Sequence, residues 1–126
     1  MRLELLDTRR LWDRAPHCAF TDLAWFQGRL LCAFRESADH HAFEGTVRIL
    51  ESRDGGFSFT SCAELRLPGQ DLRDPRFLAL GNDRLFLLCG ARTPVPDPER
   101  DVVPVRTLMY ASPDGCRWTA PQTLVG

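Results

Sequence analysis

A turn pattern of eight residues returns later in the chain in a form one residue shorter, and this repeat constrains the fold more than any other feature. Residues 52–59 read Ser-Arg-Asp-Gly-Gly-Phe-Ser-Phe, and residues 112–118 read Ser-Pro-Asp-Gly-Cys-Arg-Trp. The shared aspartates, Asp54 and Asp114, lie 60 residues apart (114 − 54). In a strand-rich chain, a period of this order predicts propeller blades or another repeat array.

The residue types of the pattern suit a tight turn between two strands. An aspartate after a strand accepts backbone N–H bonds from the turn, glycine adopts the positive φ that the turn needs, and the aromatic residue packs back on the sheet. Ser52 and Ser112 can add a side-chain hydrogen bond. We therefore expect Asp54 and Asp114 to be structural residues and not catalysts.

The pattern resembles S-x-D-x-G-x-[ST]-[WF], the Asp-box of sialidases and related six-bladed β-propellers, which is also called the bacterial neuraminidase repeat. The first copy matches it at Ser52, Asp54, Gly56, Ser58 and Phe59. The second copy matches the shorter variant at Ser112, Asp114 and Trp118. Residues 19–23 and 31–36 resemble the first blade of bacterial sialidase-like proteins. The resemblance implies an all-β fold of propeller blades, each a four-stranded antiparallel sheet.

Apolar runs separated by glycine-containing turns give the strand layout. We expect residues 1–69 to form the first blade region and residues 70–126 the second, with Asp22 and Asp74 in equivalent positions. The predicted strands cover residues 3–6, 22–26, 29–35, 46–51, 57–67, 77–80, 84–89 and 122–125. Residues 93–104 contain four prolines and are expected to form a loop, in which Arg100 is a candidate anion ligand.

Length limits the architecture to part of a ring. A chain of 126 residues has room for about two four-stranded blades, whereas propellers close with about four to eight. Two blades alone leave apolar faces unburied. We therefore expect either that C-terminal blades are missing from this sequence or that three copies assemble into a six-bladed homotrimer.

Composition excludes several classes of partner. With 16 basic and 17 acidic residues, the net charge of −1 does not favour binding to nucleic acid or to an anionic membrane. The chain has no run of eighteen apolar residues, and its charged N-terminus is unlike a secretory signal, so a cytoplasmic location is predicted. The five cysteines show no C-x-x-C spacing, so no metal site is predicted, and no cofactor is expected. Cys32 and Cys89 lie in apolar runs and are expected to be buried thiols.

Chemistry-bearing residues concentrate after the first hairpin. Residues 35–41 read Arg-Glu-Ser-Ala-Asp-His-His, which places a guanidinium, two carboxylates and two imidazoles at one strand end. A guanidinium binds a planar carboxylate with two parallel hydrogen bonds. An aspartate beside a desolvated sugar can have its pKa raised enough to act as a general acid.

The sialidase resemblance implies roles for particular residues. Asp39, followed by His40, resembles the catalytic acid/base aspartate of the family. Arg35 and Arg73 resemble arginines that grip the substrate carboxylate. The predicted substrate-binding residues are Arg35, Arg73, Asp74, Glu36, Asp22 and His40. The nucleophilic tyrosine and its glutamate would belong to later blades, and Tyr110 is expected to pack within the second sheet.

The sequence is consistent with two functions. The first is a sialidase-like, glycan-recognising propeller, part of an exo-acting glycoside hydrolase and inactive as this chain alone. The alternative is a non-catalytic carbohydrate-binding or structural propeller assembled from several two-blade chains. In the structural version, Arg35, Glu36, Arg73 and Asp74 pair with one another across a central channel.

Overall fold

The computed structural model describes residues 1–94 and 104–125, which form two separate four-stranded antiparallel sheets and contain no helix. The predicted loop over residues 93–104, with its candidate ligand Arg100, lies mostly outside the described residues. Each sheet follows chain order. The first sheet contains β1 (His17–Phe26), β2 (Arg29–Ser37), β3 (Thr46–Ser52) and β4 (Thr60–Leu65). The second contains β5 (Asp71–Leu80), β6 (Arg84–Arg92), β7 (Val105–Ser112) and β8 (Gln122–Thr123).

The predicted hairpins are confirmed, and the predicted strand at residues 3–6 is wrong. Gln27 and Gly28 form the first turn with φ values of 52° and 71°, as a two-residue hairpin requires. Residues 3–6 are not in a strand, and Leu3 and Leu5 are more than four-fifths exposed. Their alternating pattern suits a strand, but a strand needs a neighbour to pair its backbone groups.

The main hydrophobic core lies between the two sheets. Ala33, Val47, Ile49 and Leu65 of the first sheet face the second, and all are buried. From the second sheet, the buried residues of this core are Leu72, Leu87, Cys89, Ala91, Leu108 and Tyr110. The expectation that Cys32 and Cys89 are buried is confirmed, since each is only 2% exposed. Within the described ranges, no helix long and apolar enough to cross a membrane is found.

The N-terminal segment covers part of the opposite face of the first sheet. The Trp12 ring lies 6.3 Å from that of Phe34, which forms a smaller cluster with Cys32 and Leu50. The Arg48 guanidinium lies 5.2 Å from the Trp12 ring centroid, within the range of a cation–π contact. The segment before Trp12 contributes little to this cluster.

The register of the first strand of each sheet corrects the predicted equivalence of Asp22 and Asp74. In β1 the register shifts between Ala19 and Asp22, and in β5 it shifts between Arg73 and Arg76. The bulges align Asp74 with Phe20, and these two residues share the positive φ values of 51° and 61°. The prediction was off by two residues because it aligned the two strands on their aspartates, whereas the bulges, which have the same length in both strands, pair Asp22 with Arg76 in the alignment.

The repeated turns carry the hydrogen bonds expected from their residue types. Asp54 Oδ1 accepts the Ser58 N–H at 2.9 Å, and Asp114 Oδ1 accepts the Arg117 N–H at 2.8 Å. Gly55 and Gly115 have φ values of 76° and 79°. The Ser58 hydroxyl and N–H lower the pKa of Asp54, and the Arg117 N–H lowers that of Asp114. Both aspartates therefore stabilise their turns as carboxylates.

Candidate functional site

Asp71, the first residue of β5, is a fully buried carboxylate surrounded by three guanidinium groups. Arg35 Nε lies 2.8 Å from Asp71 Oδ1, and Arg73 Nε lies 2.5 Å from Oδ2. Arg92 Nη1 lies 3.7 Å from Oδ2. We call Arg35, Arg73, Arg92 and Asp71 the basic cluster. Within the described part of the chain, these four side chains carry three positive charges and one negative charge, a surplus of two.

Arg35 uses its whole guanidinium inside the protein. Nε and Nη2 both contact Asp71 Oδ1 at 2.8 Å, while Nη1 donates to Ser37 Oγ and to the Asp39 carbonyl. Nη2 also donates to the Ala42 carbonyl at 2.8 Å. The side chain is fully buried, so its five N–H groups are satisfied before any ligand arrives. Arg35 therefore fixes the loop that follows β2.

Arg73 and Arg92 are the members of the basic cluster that reach solvent. Their side chains are 12% and 20% exposed, respectively. Arg73 Nη2 donates to the His40 carbonyl, and within the described residues no hydrogen bond involves Arg73 Nη1. The Arg92 guanidinium lies 4.6 Å from the ring centroid of Phe43. Burial, and then the charge of Arg73, lower the pKa of Arg92, as expected in a region of positive potential.

Asp39 lies in the loop that Arg35 holds, with its carboxylate exposed to solvent. Its Oδ1 accepts the backbone N–H of His41 at 2.7 Å and of Ala42 at 2.8 Å. These two hydrogen bonds lower the pKa of Asp39. The shift is opposite to the one that a general acid needs, because the aspartate caps its own turn and faces water.

Aromatic rings stand beside Arg73 and form what we call the aromatic wall. The His40 ring centroid lies 5.6 Å from that of His17, 5.8 Å from Phe20 and 5.1 Å from His41. Burial, and then the charge of Arg73, lower the pKa of His40. A neutral imidazole next to a guanidinium gives the wall a surface that can contact an apolar ligand face.

Three other predicted site residues make no described hydrogen bond or ion pair with the basic cluster. Glu36 follows Arg35 in β2 and so faces the opposite side of the sheet, where it accepts the Arg48 Nε–H at 2.9 Å. Asp22 Oδ2 accepts the Phe77 N–H at 2.8 Å and so joins the two sheets. Asp74 is exposed within the β5 bulge.

The predicted ion pairing among Arg35, Glu36, Arg73 and Asp74 is therefore wrong in its partners. Arg35 and Arg73 share Asp71, and Glu36 pairs with Arg48. Strand alternation explains the difference at Arg35 and Glu36, because consecutive residues of a regular strand face opposite sides of the sheet.

Sequence reasoning missed Asp71 and Arg92. The β-ladder pairs these two residues directly, at the first position of β5 and the last of β6. The predicted strands ended short of both positions. Residues two positions apart in an extended strand share a face of the sheet. The spacing of Asp71 and Arg73 was therefore a signal that their side chains lie on the same face.

No protein-family model matches the chain, and no curated protein matches it. In the described part of the chain, no group of three or more His, Cys, Asp or Glu side chains is arranged to hold a metal ion.

Proposed function

We propose that this chain supplies two blades of a sialidase-like β-propeller and that its basic cluster binds the carboxylate of an acidic glycan. Two features support the assignment of blades. Both sheets have four antiparallel strands in chain order, a bulge in the innermost strand and the same turn after the third strand. The sheets also pack face to face through an apolar core, as neighbouring blades do.

The surplus charge of the basic cluster carries the proposal of an acidic ligand. Asp71 neutralises one of three guanidiniums, and the partly exposed Arg73 and Arg92 remain as donors at the surface. A carboxylate matches a guanidinium in both charge and geometry. In this assignment Arg73 and Arg92 bind the ligand, and Arg35 positions the loop.

The loop residues supply the rest of the proposed sugar site. His40 and the other rings of the aromatic wall contact the apolar face of the sugar beside its carboxylate. Asp39 is the proposed acid/base residue of an exo-acting glycoside hydrolase, and a desolvating sugar would raise its pKa toward that of a general acid. The nucleophile must come from elsewhere, because Tyr110 is 3% exposed within the core. We expect this chain alone to bind a ligand without hydrolysing it.

A calorimetric titration with free sialic acid tests the proposal. We expect saturable binding that R73Q and R92Q each weaken by about tenfold or more, because each removes a charge-assisted hydrogen bond. R53Q is the matched control, since the Arg53 side chain is 71% exposed and pairs with Glu51. Equal affinity for a neutral sugar, or unchanged affinity in both variants, would contradict the proposal. A fluorogenic sialoside assay on the same protein should show no turnover.

The exposed apolar residues of the sheets favour a second candidate. Leu23 and Trp25 of β1 are 55% and 62% exposed, and Leu78 and Leu80 of β5 are 47% and 46% exposed. Three chains that bury these surfaces against one another would form a six-bladed homotrimer, a non-catalytic carbohydrate-binding or structural propeller. Glycan binding by such a trimer, without turnover, would favour this candidate.

A further inference from the structure

A polar cavity, remote from the basic cluster, lies where β4 meets the turn that follows β7. Its volume is about 820 Å³. The residues that line it include Arg29, Glu51, Cys62, Asp114 and Cys116. Cys62 belongs to the first sheet and Cys116 to the turn of the second, and both thiols are half-buried.

The contacts of the two sulfurs show that they are neighbours. Cys62 Sγ lies 3.7 Å from the carbonyl oxygen of Gly115, the residue before Cys116. Arg29 Nη1 lies 3.7 Å from Cys116 Sγ and 2.6 Å from Glu51 Oε2. Burial first, and then a hydrogen bond to the Cys116 sulfur, raise the pKa of Cys62.

We propose that Cys62 and Cys116 are a redox-active dithiol that reacts with small-molecule disulfides and closes to a disulfide between the two sheets. Cys116 is the attacking residue, because the thiolate is the reactive form and the Arg29 guanidinium donates to this sulfur. Cys62 is the resolving residue. The cavity gives a small disulfide access to both sulfurs.

The reaction proceeds by two thiol–disulfide exchanges. The Cys116 thiolate attacks one sulfur of the small disulfide RSSR, which breaks its S–S bond and releases RS⁻. The Cys62 thiol then loses its proton to solvent, and its thiolate attacks Cys116 Sγ and releases the second RS⁻. The protein is oxidised by two electrons, and RSSR is reduced to two thiols.

The remaining cysteines lack this arrangement. Cys32 and Cys89 are each 2% exposed, and burial raises their pKa values to about 11 and about 12. Cys18 is exposed, and its thiol donates to the Ala15 carbonyl at 3.9 Å. These settings predict selective reaction at the Cys62–Cys116 pair.

Peptide mapping after incubation with oxidised glutathione tests the proposal. We expect a peptide pair linked through Cys62 and Cys116, formed with the loss of two hydrogens and reversed by dithiothreitol. C62S should trap glutathione on Cys116, whereas C116S should react several-fold more slowly at Cys62. A variant with C18S, C32S and C89S should still form the linked pair.

The wild-type map alone decides the outcome, so a poorly folding variant does not leave the proposal undecided. Glutathione on Cys18 with Cys62 and Cys116 still reduced would overturn it. R29Q tests the role of the guanidinium, and we expect the rate of the first exchange to fall at least about threefold. An unchanged rate would overturn the assignment of Cys116 as the residue that Arg29 activates.

Discussion

Asp71 Oδ1 lies 2.8 Å from Arg35 Nε, and neither side chain is exposed to solvent. The pair links β2 of the first sheet to β5 of the second. Burying two charges is costly unless every remaining donor and acceptor is satisfied. Here the Gly45 N–H also donates to Asp71 Oδ1, at 3.1 Å, and Arg35 holds the following loop through two carbonyls. One ion pair thus fixes both the junction of the sheets and the loop of the proposed site.

Replacing Asp71 by asparagine should destabilise the protein strongly. D71N leaves the buried Arg35 guanidinium without a counter-charge, and breaking a buried pair in this way costs about 3–5 kcal/mol. Urea unfolding followed by circular dichroism measures the loss. D83N changes an exposed turn residue and should stay within about 0.5 kcal/mol of wild type. If D71N and D83N unfold at the same urea concentration, the ion pair is not the constraint we describe.

Position 45 requires glycine because a side chain would not fit there, and not because its backbone conformation favours glycine. A Cβ at this position would lie 2.1 Å from Asp71 Oδ1 and 2.4 Å from Arg35 Nε. We expect G45A to lower the free energy of unfolding by about 1–3 kcal/mol. G90A is the matched control, because among the described residues its Cβ would meet only Val105 Cγ1, at 3.3 Å, and the Arg73 carbonyl, at 3.9 Å. Equal stability of the two variants would contradict this packing.

Stability should depend on pH through the two turn aspartates. The Ser58 hydroxyl and N–H lower the pKa of Asp54, and the Arg117 N–H lowers that of Asp114, from an ordinary value of 3.8. A pKa depressed in the folded state gives stability that is complete above the unfolded value and is lost as pH falls through the folded value. The double variant D54N/D114N should therefore show a flatter loss of unfolding free energy below about pH 4. Parallel curves for variant and wild type would show that these carboxylates do not govern acid stability.

The sequence predicted the strands better than the site. Apolar alternation and the Gln27-Gly28 turn placed the hairpins, and the residue types of the turns at Asp54 and Asp114 predicted their hydrogen bonds. These features are local, so neighbouring residues specify them. Burial of Cys32 and Cys89 followed from their apolar runs in the same way.

The basic cluster depends on features that are not local. Asp71 pairs with Arg35, which lies in the other sheet and 36 residues earlier in the chain. A short sequence pattern cannot predict a contact between residues so far apart. The matching bulges of β1 and β5 align Asp74 with Phe20 and not with Asp22, and only the pairing of each strand with its neighbour shows this. Glu36 was assigned to the site because it is next to Arg35 in the chain, although strand alternation directs it to the other face.

The oligomeric state tests whether the exposed sheet faces pair with each other. If three chains of 14.3 kDa close a ring, light scattering should give about 43 kDa. In such a ring, the Leu23 side of one chain would contact the Leu78 side of the next. L23R and L78R each change one side of this head-to-tail contact, so each should prevent closure of the ring. Mixed together, the two variants retain one intact interface and should form a heterodimer of about 29 kDa. A wild-type mass of 14.3 kDa would exclude the homotrimer under those conditions.

The central claim is that Arg73 and Arg92 form an anion site while Arg35 is already committed to Asp71. NMR of the guanidinium Nε–H groups, recorded during a titration with sialic acid and with its methyl ester, tests this claim most directly. We predict saturable shifts at Arg73 and Arg92 with the acid, much smaller shifts with the ester, and an unchanged Arg35 signal. Equal shifts with acid and ester, or no shift at Arg73 and Arg92, would contradict the account.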